Sequence, residues 1–292
     1  MISNFNEFGN STIHTHTSSD GYTLHYRSWG NECAKDIIVM LHGGVSHSGW
    51  QYPLGNSFTN RSPYRFVALD RRGSGLNAEK RGHIVSVQQE LNDVASLLLD
   101  LVQNGAKIHL AGWCFGGQIA ALVAAQSELK GKISNLIMIT PGFWFTERYG
   151  DILVRTTHSV KQVLSNINYE LSHDIDYFPV PLAVEDFTDD PDLQNALISD
   201  CLLLRNVTLN TIDVWQELAD LSRTDLISSS RGIPVMCILA NRDRLVDNHA
   251  VAEYLISRYG KENTDVIWLD GPHAIQFSEA DRIVKYICSF LR

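Results

Sequence analysis

The chain has 292 residues, 44% of them hydrophobic, and 24 Lys and Arg against 33 Asp and Glu give it a formal charge of −9. That length and apolar content can bury one large core, and the acidic balance has the wrong sign for a nucleic-acid ligand. No run of about eighteen apolar residues occurs, the start Met1-Ile-Ser-Asn-Phe-Asn-Glu has neither a basic cluster nor an apolar run, and 5 scattered cysteines form no CxxC pair, so a reduced cytoplasmic setting with no membrane span and no secretion signal is expected.

Short apolar runs predict strands over 37–41, 64–69, 107–111, 234–240 and 265–270, with another ending at 140. The first runs into His42-Gly-Gly44 and the second into Asp70-Arg-Arg-Gly-Ser-Gly75. The third enters Gly112-Trp-Cys-Phe-Gly-Gly117, followed by an Ala/Leu/Val helix pattern from 118 to 126. The stretch between 140 and 234 is too long for a simple crossover. Helical patterns at 151–168, 192–205 and 210–222, broken by Phe178-Pro-Val-Pro and Asp189-Asp-Pro, predict a helical cap over 142–230. Residues 1–141 and 231–292 then form the core domain. The cap carries fifteen acidic against five basic side chains, a solvated face by default. In the core, Arg61, Arg65, Arg71, Arg72, Lys80 and Arg81 concentrate positive charge and are a candidate docking side for an acidic carrier.

Cys114 stands where a nucleophile sits on a strand-turn-helix elbow. Such a turn drives the nucleophile to positive φ and is tolerated only if the residues two before and two after lack side chains, a demand that Gly112 and Gly116 meet. The bland reading is a buried cysteine in a glycine-rich turn. Cys237 and Cys288 fall in apolar patterns and read as core. His14-Thr-His16 puts two histidines on one strand face without a third ligand at metal spacing, so neither metal nor other cofactor is expected. Gly73-Ser-Gly75 lacks the third glycine of a dinucleotide loop.

The elbow, followed by Asn241-Arg-Asp243 and Gly271-Pro-His273 at the ends of two later strands, resembles the α/β-hydrolase superfamily from about residue 20 onward, in its cysteine-nucleophile branch. The resemblance implies a mostly parallel central sheet flanked by helices with an inserted helical cap. It implies Cys114 as nucleophile, His273 as base and Asp243 as the acid, with Asp247 a rival for that last role. It also implies that Gly44 and Phe115 supply the oxyanion amides, while His42 braces its loop. Trp113, His47, Phe143, Trp144 and Trp215 are the candidate substrate contacts in an apolar cleft.

The expected chemistry is thiolate attack on an acyl carbonyl, giving an acyl-Cys114 thioester that a second nucleophile resolves. The elbow is similar to that of polyhydroxyalkanoate synthases, which are longer, and of dienelactone hydrolases, which are shorter. Cysteine-dependent Dieckmann cyclases share the triad, size and cap. Off-loading or cyclisation of an apolar acyl or polyketide-peptide thioester, thioesterase-like and on a carrier protein or coenzyme A, is therefore the leading expectation. The alternatives are a hydrolase of small apolar esters or lactones and a triad-retaining small-ligand sensor.

Overall fold

The computed structural model describes residues 11–150, 162 and 176–292. Its strands are β1 (Thr12–Thr17), β2 (Thr23–Trp29), β3 (Asp36–Leu41), β4 (Arg65–Leu69), β5 (Lys107–Trp113), β6 (Ile133–Ile139), β7 (Tyr177–Pro179), β8 (Asn206–Thr208), β9 (Val235–Ala240) and β10 (Thr264–Leu269). Among the described residues, eight of them make one sheet in the order β1-β2-β4-β3-β5-β6-β9-β10, while β7 and β8 pair separately. The β1–β2 and β2–β4 pairs are antiparallel, and every later pair is parallel. Strands β4 and β9 are buried along their whole length, because helices cover both faces, whereas β1 at the sheet edge alternates between exposed and half-buried positions.

The helices are α1 (Tyr52–Arg61), α2 (Val87–Gln103), α3 (Phe115–Ala124), α4 (Pro191–Ser199), α5 (Leu209–Ser222), α6 (Asn248–Tyr259) and α7 (Ala280–Phe290). Ser86 caps α2 by accepting from the Gln89 amide (3.2 Å), and the helix buries Val87, Leu91, Val94, Leu98 and Leu101 along one stripe. After β4 the chain crosses β3 to lay β5 on its far side. The order therefore reverses there, and the carboxyl ends of β3 and β5 open onto a crevice of the kind that holds ligands in such sheets. The ends of β9 and β10 lie along the same edge.

The expected cap helix at 151–168 lies outside the described residues, Gln162 excepted. The one expected at 192–205 stops at Ser199, because Asp200 turns to extended backbone and carries its carboxylate inward. The one expected at 210–222 is α5, capped by Thr208. These elements are tied to the core by main-chain bonds: Leu204 N–H to the Val45 carbonyl (2.9 Å) and Ala274 N–H to the Phe187 carbonyl (2.9 Å). Among the described residues no helix is long and apolar enough to cross a membrane.

Candidate active site

Cys114 leaves β5 and starts α3 with φ 53° and ψ −124°, the left-handed region that costs an ordinary side chain on the order of 1–3 kcal/mol. The turn is this tight because its flanks have no room for a methyl group. A Cβ on Gly112 would stand 2.2 Å from the Gly116 carbonyl oxygen, and one on Gly116 2.0 Å from that of Leu41. The Cys114 carbonyl accepts from the Gly117 and Gly142 amides, both at 2.9 Å. The thiol is thereby presented, 6% exposed, to a cavity at the sheet edge.

His273 and Asp243 come to it from the ends of β10 and β9. The imidazole Nδ1 lies 2.7 Å from Asp243 Oδ2, with both side chains all but fully buried. Asp243 Oδ1 accepts from the Leu245 and Val246 amides at 2.8 and 2.9 Å, which orients the carboxylate. Trp113 Nε1 and Thr140 Oγ1 both donate to the His273 carbonyl, at 3.1 and 3.2 Å. His273 Nε2 meets no nitrogen or oxygen partner among the described residues, and its neighbouring group is the Cys114 thiol. Burial works against a charged imidazole here, but Asp243 first, and the neighbouring Cys114 second, outweigh it and push the His273 pKa up to about 10. Asp247, by contrast, is exposed and caps α6 through the Ala250 amide (3.1 Å), away from His273.

On the opposite wall, His42 is fully buried. Its Nδ1 donates to the Gly43 carbonyl (2.8 Å) and its Nε2 accepts from the Arg71 amide (3.1 Å), a pattern only the neutral ring can make. Burial first, and the Arg71 charge second, hold its pKa well below the usual histidine value. The Arg71 guanidinium bonds the Gly43 and Gly44 carbonyls at 2.9 and 2.8 Å and Glu90 at 2.9 Å. Gly44 and Phe115 both line the cavity, and among the described residues neither amide is taken up by a backbone carbonyl. Phe115 is the first residue of α3, where helix geometry leaves an amide without an internal acceptor.

The cavity is narrow, with about 20 Å³ of room for water-sized groups, and is walled by Trp113, Phe145, Tyr149, Leu182, Phe187 and Trp215 among others. The structure brings Trp113 and Trp215 of the expected contacts to it and directs three others elsewhere. His47 is fully buried: its Nδ1 accepts from the Gly49 amide, so its Nε2 donates to Asp200 (2.9 Å), which also takes the Trp50 indole N–H (2.8 Å). Phe143 and Trp144 pack on Tyr254, with ring centroids 5.4 and 4.7 Å away. Phe145 and Tyr149 line the cavity as well. Leu182 and Phe187 are also there and carry no sequence signal, since a loop residue's direction is set by tertiary contacts. Phe187 and Trp113 both lie against His273, at 6.1 and 5.1 Å between centroids, and against each other at 6.4 Å. Trp215 Nε1 is buried without a partner among the described residues, which leaves an indole donor unpaired in the cavity wall.

The expected basic docking side is largely drawn into ion pairs and carbonyl contacts, with Arg61 and Lys80 left exposed. Arg71 is buried with Glu90, Arg65 pairs with Glu32, Arg72 with Asp93 and Asp20, Arg61 with Asp281, and Arg81 donates to the Leu202 and Gly75 carbonyls. His14 and His16 bond Ser28 (2.7 Å) and Ser96 (2.5 Å), and among the described residues no group of three His, Cys, Asp or Glu is arranged to hold a metal.

Comparison with known proteins agrees with this architecture. The serine aminopeptidase S33 family, Hydrolase_4, matches residues 32–278, and the chain belongs to it. An α/β-hydrolase-type enzyme is thereby defined, with cysteine at the elbow of a family described by its serine. An uncharacterized abhydrolase domain-containing protein of Dictyostelium discoideum is 30% identical over 124 residues, 42% of this chain but only 12% of that protein. Phospholipase YtpA of Bacillus subtilis is 20% identical over 229 residues, 78% of this chain and 83% of that one. Among solved structures, a soluble variant of monoglyceride lipase from Saccharomyces cerevisiae superposes with a TM-score of 0.79 at 15% identity, over 98% of this chain and 96% of that one. DcsB, solved with a substrate analogue, gives 0.72 at 15% identity over 97% and 99%.

Proposed function

We propose that the protein is an ester hydrolase that cleaves esters of apolar acyl groups through an acyl-Cys114 thioester. The observation that supports this most directly is the strained elbow that turns the Cys114 thiol into an apolar cavity beside an imidazole anchored on a buried carboxylate. The likeness to a monoglyceride lipase and a phospholipase supports an ester as the substrate.

In this reading the Cys114 sulfur attacks the ester carbonyl and the S–C bond forms. The oxyanion that develops is received by the Gly44 and Phe115 amides. As the C–O bond breaks, His273 gives the Nε2 proton to the departing alkoxide, while Asp243 keeps Nδ1 protonated and the ring oriented. Water then enters, gives its proton back to His273 and attacks the thioester, and the sulfur leaves as thiolate. Phe187 and Trp113, packed together against the imidazole, limit how much water reaches it.

Cysteine itself favours a second reading, transfer of the acyl group to an amine or carbon nucleophile, as in off-loading or ring closure. A thioester is a better donor to such nucleophiles than an oxygen ester. The two readings part on one experiment: a panel of p-nitrophenyl, monoacylglycerol and N-acetylcysteamine acyl substrates, followed by intact-mass spectrometry and product chromatography. The hydrolase reading expects free acid at steady state and an acyl adduct on Cys114. Cys114→Ala should lose the adduct and roughly five orders of magnitude of turnover, since triad members act as a unit. Cyclic or amide product from a thioester would favour transfer. An adduct without turnover on any member would favour the small-ligand sensor.

A further inference from the structure

We infer that Arg71 is a positioning residue for the oxyanion site, holding the Gly43–Gly44 peptide so that its N–H faces the developing oxyanion. The inference rests on the proposed covalent mechanism and on the geometry of one peptide plane. In a trans peptide the C=O of one residue and the N–H of the next point in opposite directions. The Gly43 oxygen is held from the interior side by Arg71 Nη2 at 2.9 Å and His42 Nδ1 at 2.8 Å. The Gly44 N–H, at the other end of the same plane, is thereby turned away from the interior, on the wall where Gly44 lines the cavity with Cys114.

Arg71 suits this task for three reasons. Its Nη2 reaches the Gly43 and Gly44 carbonyls together, at 2.9 and 2.8 Å, so two successive peptides are set by one rigid group. It is 3% exposed, and Nη1 is held by Glu90, also 3% exposed, so the fork is fixed before substrate arrives. Its positive charge lies at the oxygen end of the peptide whose hydrogen end receives the oxyanion, and a charge there polarises the amide toward a stronger donor. The second oxyanion peptide is built on the same plan without a charge. The Cys114 oxygen is held by the Gly117 and Gly142 amides, and the Phe115 N–H points the other way.

The test must not leave Glu90 charged and alone, so the main variant is R71M/E90Q, with R71K as a second. Three quantities are read on each: single-turnover acylation by a p-nitrophenyl ester, the affinity of an aliphatic aldehyde that adds reversibly to Cys114, and the rate of alkylation of Cys114 by iodoacetamide. The first two develop an oxyanion and the third does not. A positioning role expects acylation and aldehyde affinity to fall by roughly tenfold to a hundredfold, with alkylation within about twofold of wild type. Unchanged acylation, or acylation and alkylation falling together, would overturn it. If the double variant does not fold, the same readings on R71K decide, with an intermediate loss of acylation expected because a lysine reaches one carbonyl and not two. Wild-type protein that binds the aldehyde but never acylates would sink the hydrolase reading alone, and the aldehyde series would still judge Arg71.

Discussion

The two loops that face each other across the cavity are held by opposite means. At the elbow, the main chain does the work: Gly112 and Gly116 press against neighbouring backbone, and the Cys114 carbonyl is fastened by two amides. At Gly43–Gly44, side chains do it. A neutral buried histidine and a buried guanidinium with its carboxylate grip a loop whose nearest neighbours are side chains and not main chain, since a Cβ on Gly44 would first meet the Phe115 ring, at 3.1 Å. Steric confinement of backbone against backbone is independent of pH and salt. Restraint by titratable groups is not, and it is bought with desolvated charge. The nucleophile, whose position tolerates least error, sits on the first kind of support.

The sharpest contrast between the loops should come from a single methyl group placed on each. Gly116→Ala sets a Cβ against the Leu41 carbonyl, a main-chain atom that moves only if β3 moves, and should cost about 3 kcal/mol or more of stability. Gly44→Ala meets only the edge of an aromatic ring and should cost about 1 kcal/mol or less. Denaturant midpoints of the two variants check this, and equal losses would erase the distinction between the loops.

Next comes the charged support. Arg71→Met by itself strands Glu90, whose carboxyl pKa burial already raises and Arg71 opposes, so the variant should lose about 3–5 kcal/mol. Adding Glu90→Gln should recover most of that loss, because the orphaned charge is gone. A double variant as unstable as the single one would show that packing, not charge, holds this loop.

The contrast also explains what the sequence discloses. The elbow is legible because its restraints are local: the glycines two before and two after Cys114 can be read along eight residues, as can the strand before and the helix after. Asp243 and His273 are legible through their chain order. The support of the other loop is not. Arg71 lies 28 positions beyond Gly43, among five other bases that together read as a candidate docking side, and its role depends on where β4 ends beside β3. A clue exists in Glu90, an acid at an apolar position of α2 between Val87 and Leu91, which marks a buried partner without naming it. The misassigned His47 fails for the same reason: its partner Asp200 is 153 positions away.

A smaller effect follows from the histidines, one on each side, whose shifts have opposite signs. His273 is raised to about 10, so its contribution to stability is complete below about pH 6.5, its unfolded value, and is lost as the pH climbs toward 10. His42 is lowered, so its contribution is complete above about pH 6.5 and is lost as the pH falls below it. The stability difference between wild type and His273→Gln should therefore shrink between neutral pH and pH 10, by an amount on the order of a few kcal/mol. The difference between wild type and His42→Gln should shrink on the acid side instead. Thermal melts across pH 5–10 read both, and a His273 difference that stays flat to pH 10 would contradict the assignment.

The smallest expected effect divides two acids on one loop. Asp243 and Asp247 both follow β9 and both accept main-chain amides, so stability alone does not tell them apart. Asp247 caps α6 at an exposed site, and its replacement by alanine should cost about 1 kcal/mol, as loss of a helix cap does. In a chain of this size that is a drop of roughly 2–4 °C in Tm. Turnover of the p-nitrophenyl ester should stay at the wild-type level, because nothing from Asp247 reaches His273. Asp243→Asn keeps the shape of the side chain but removes the charge that raises His273, so activity should collapse while the melting temperature at pH 9–10, where that charge contributes least to His273, stays closer to wild type than at pH 6. A loss of turnover in Asp247→Ala beyond about threefold would mean that the loop, and not Asp243 alone, sets the imidazole, since a cap acting only on helix stability leaves kcat untouched in the folded fraction.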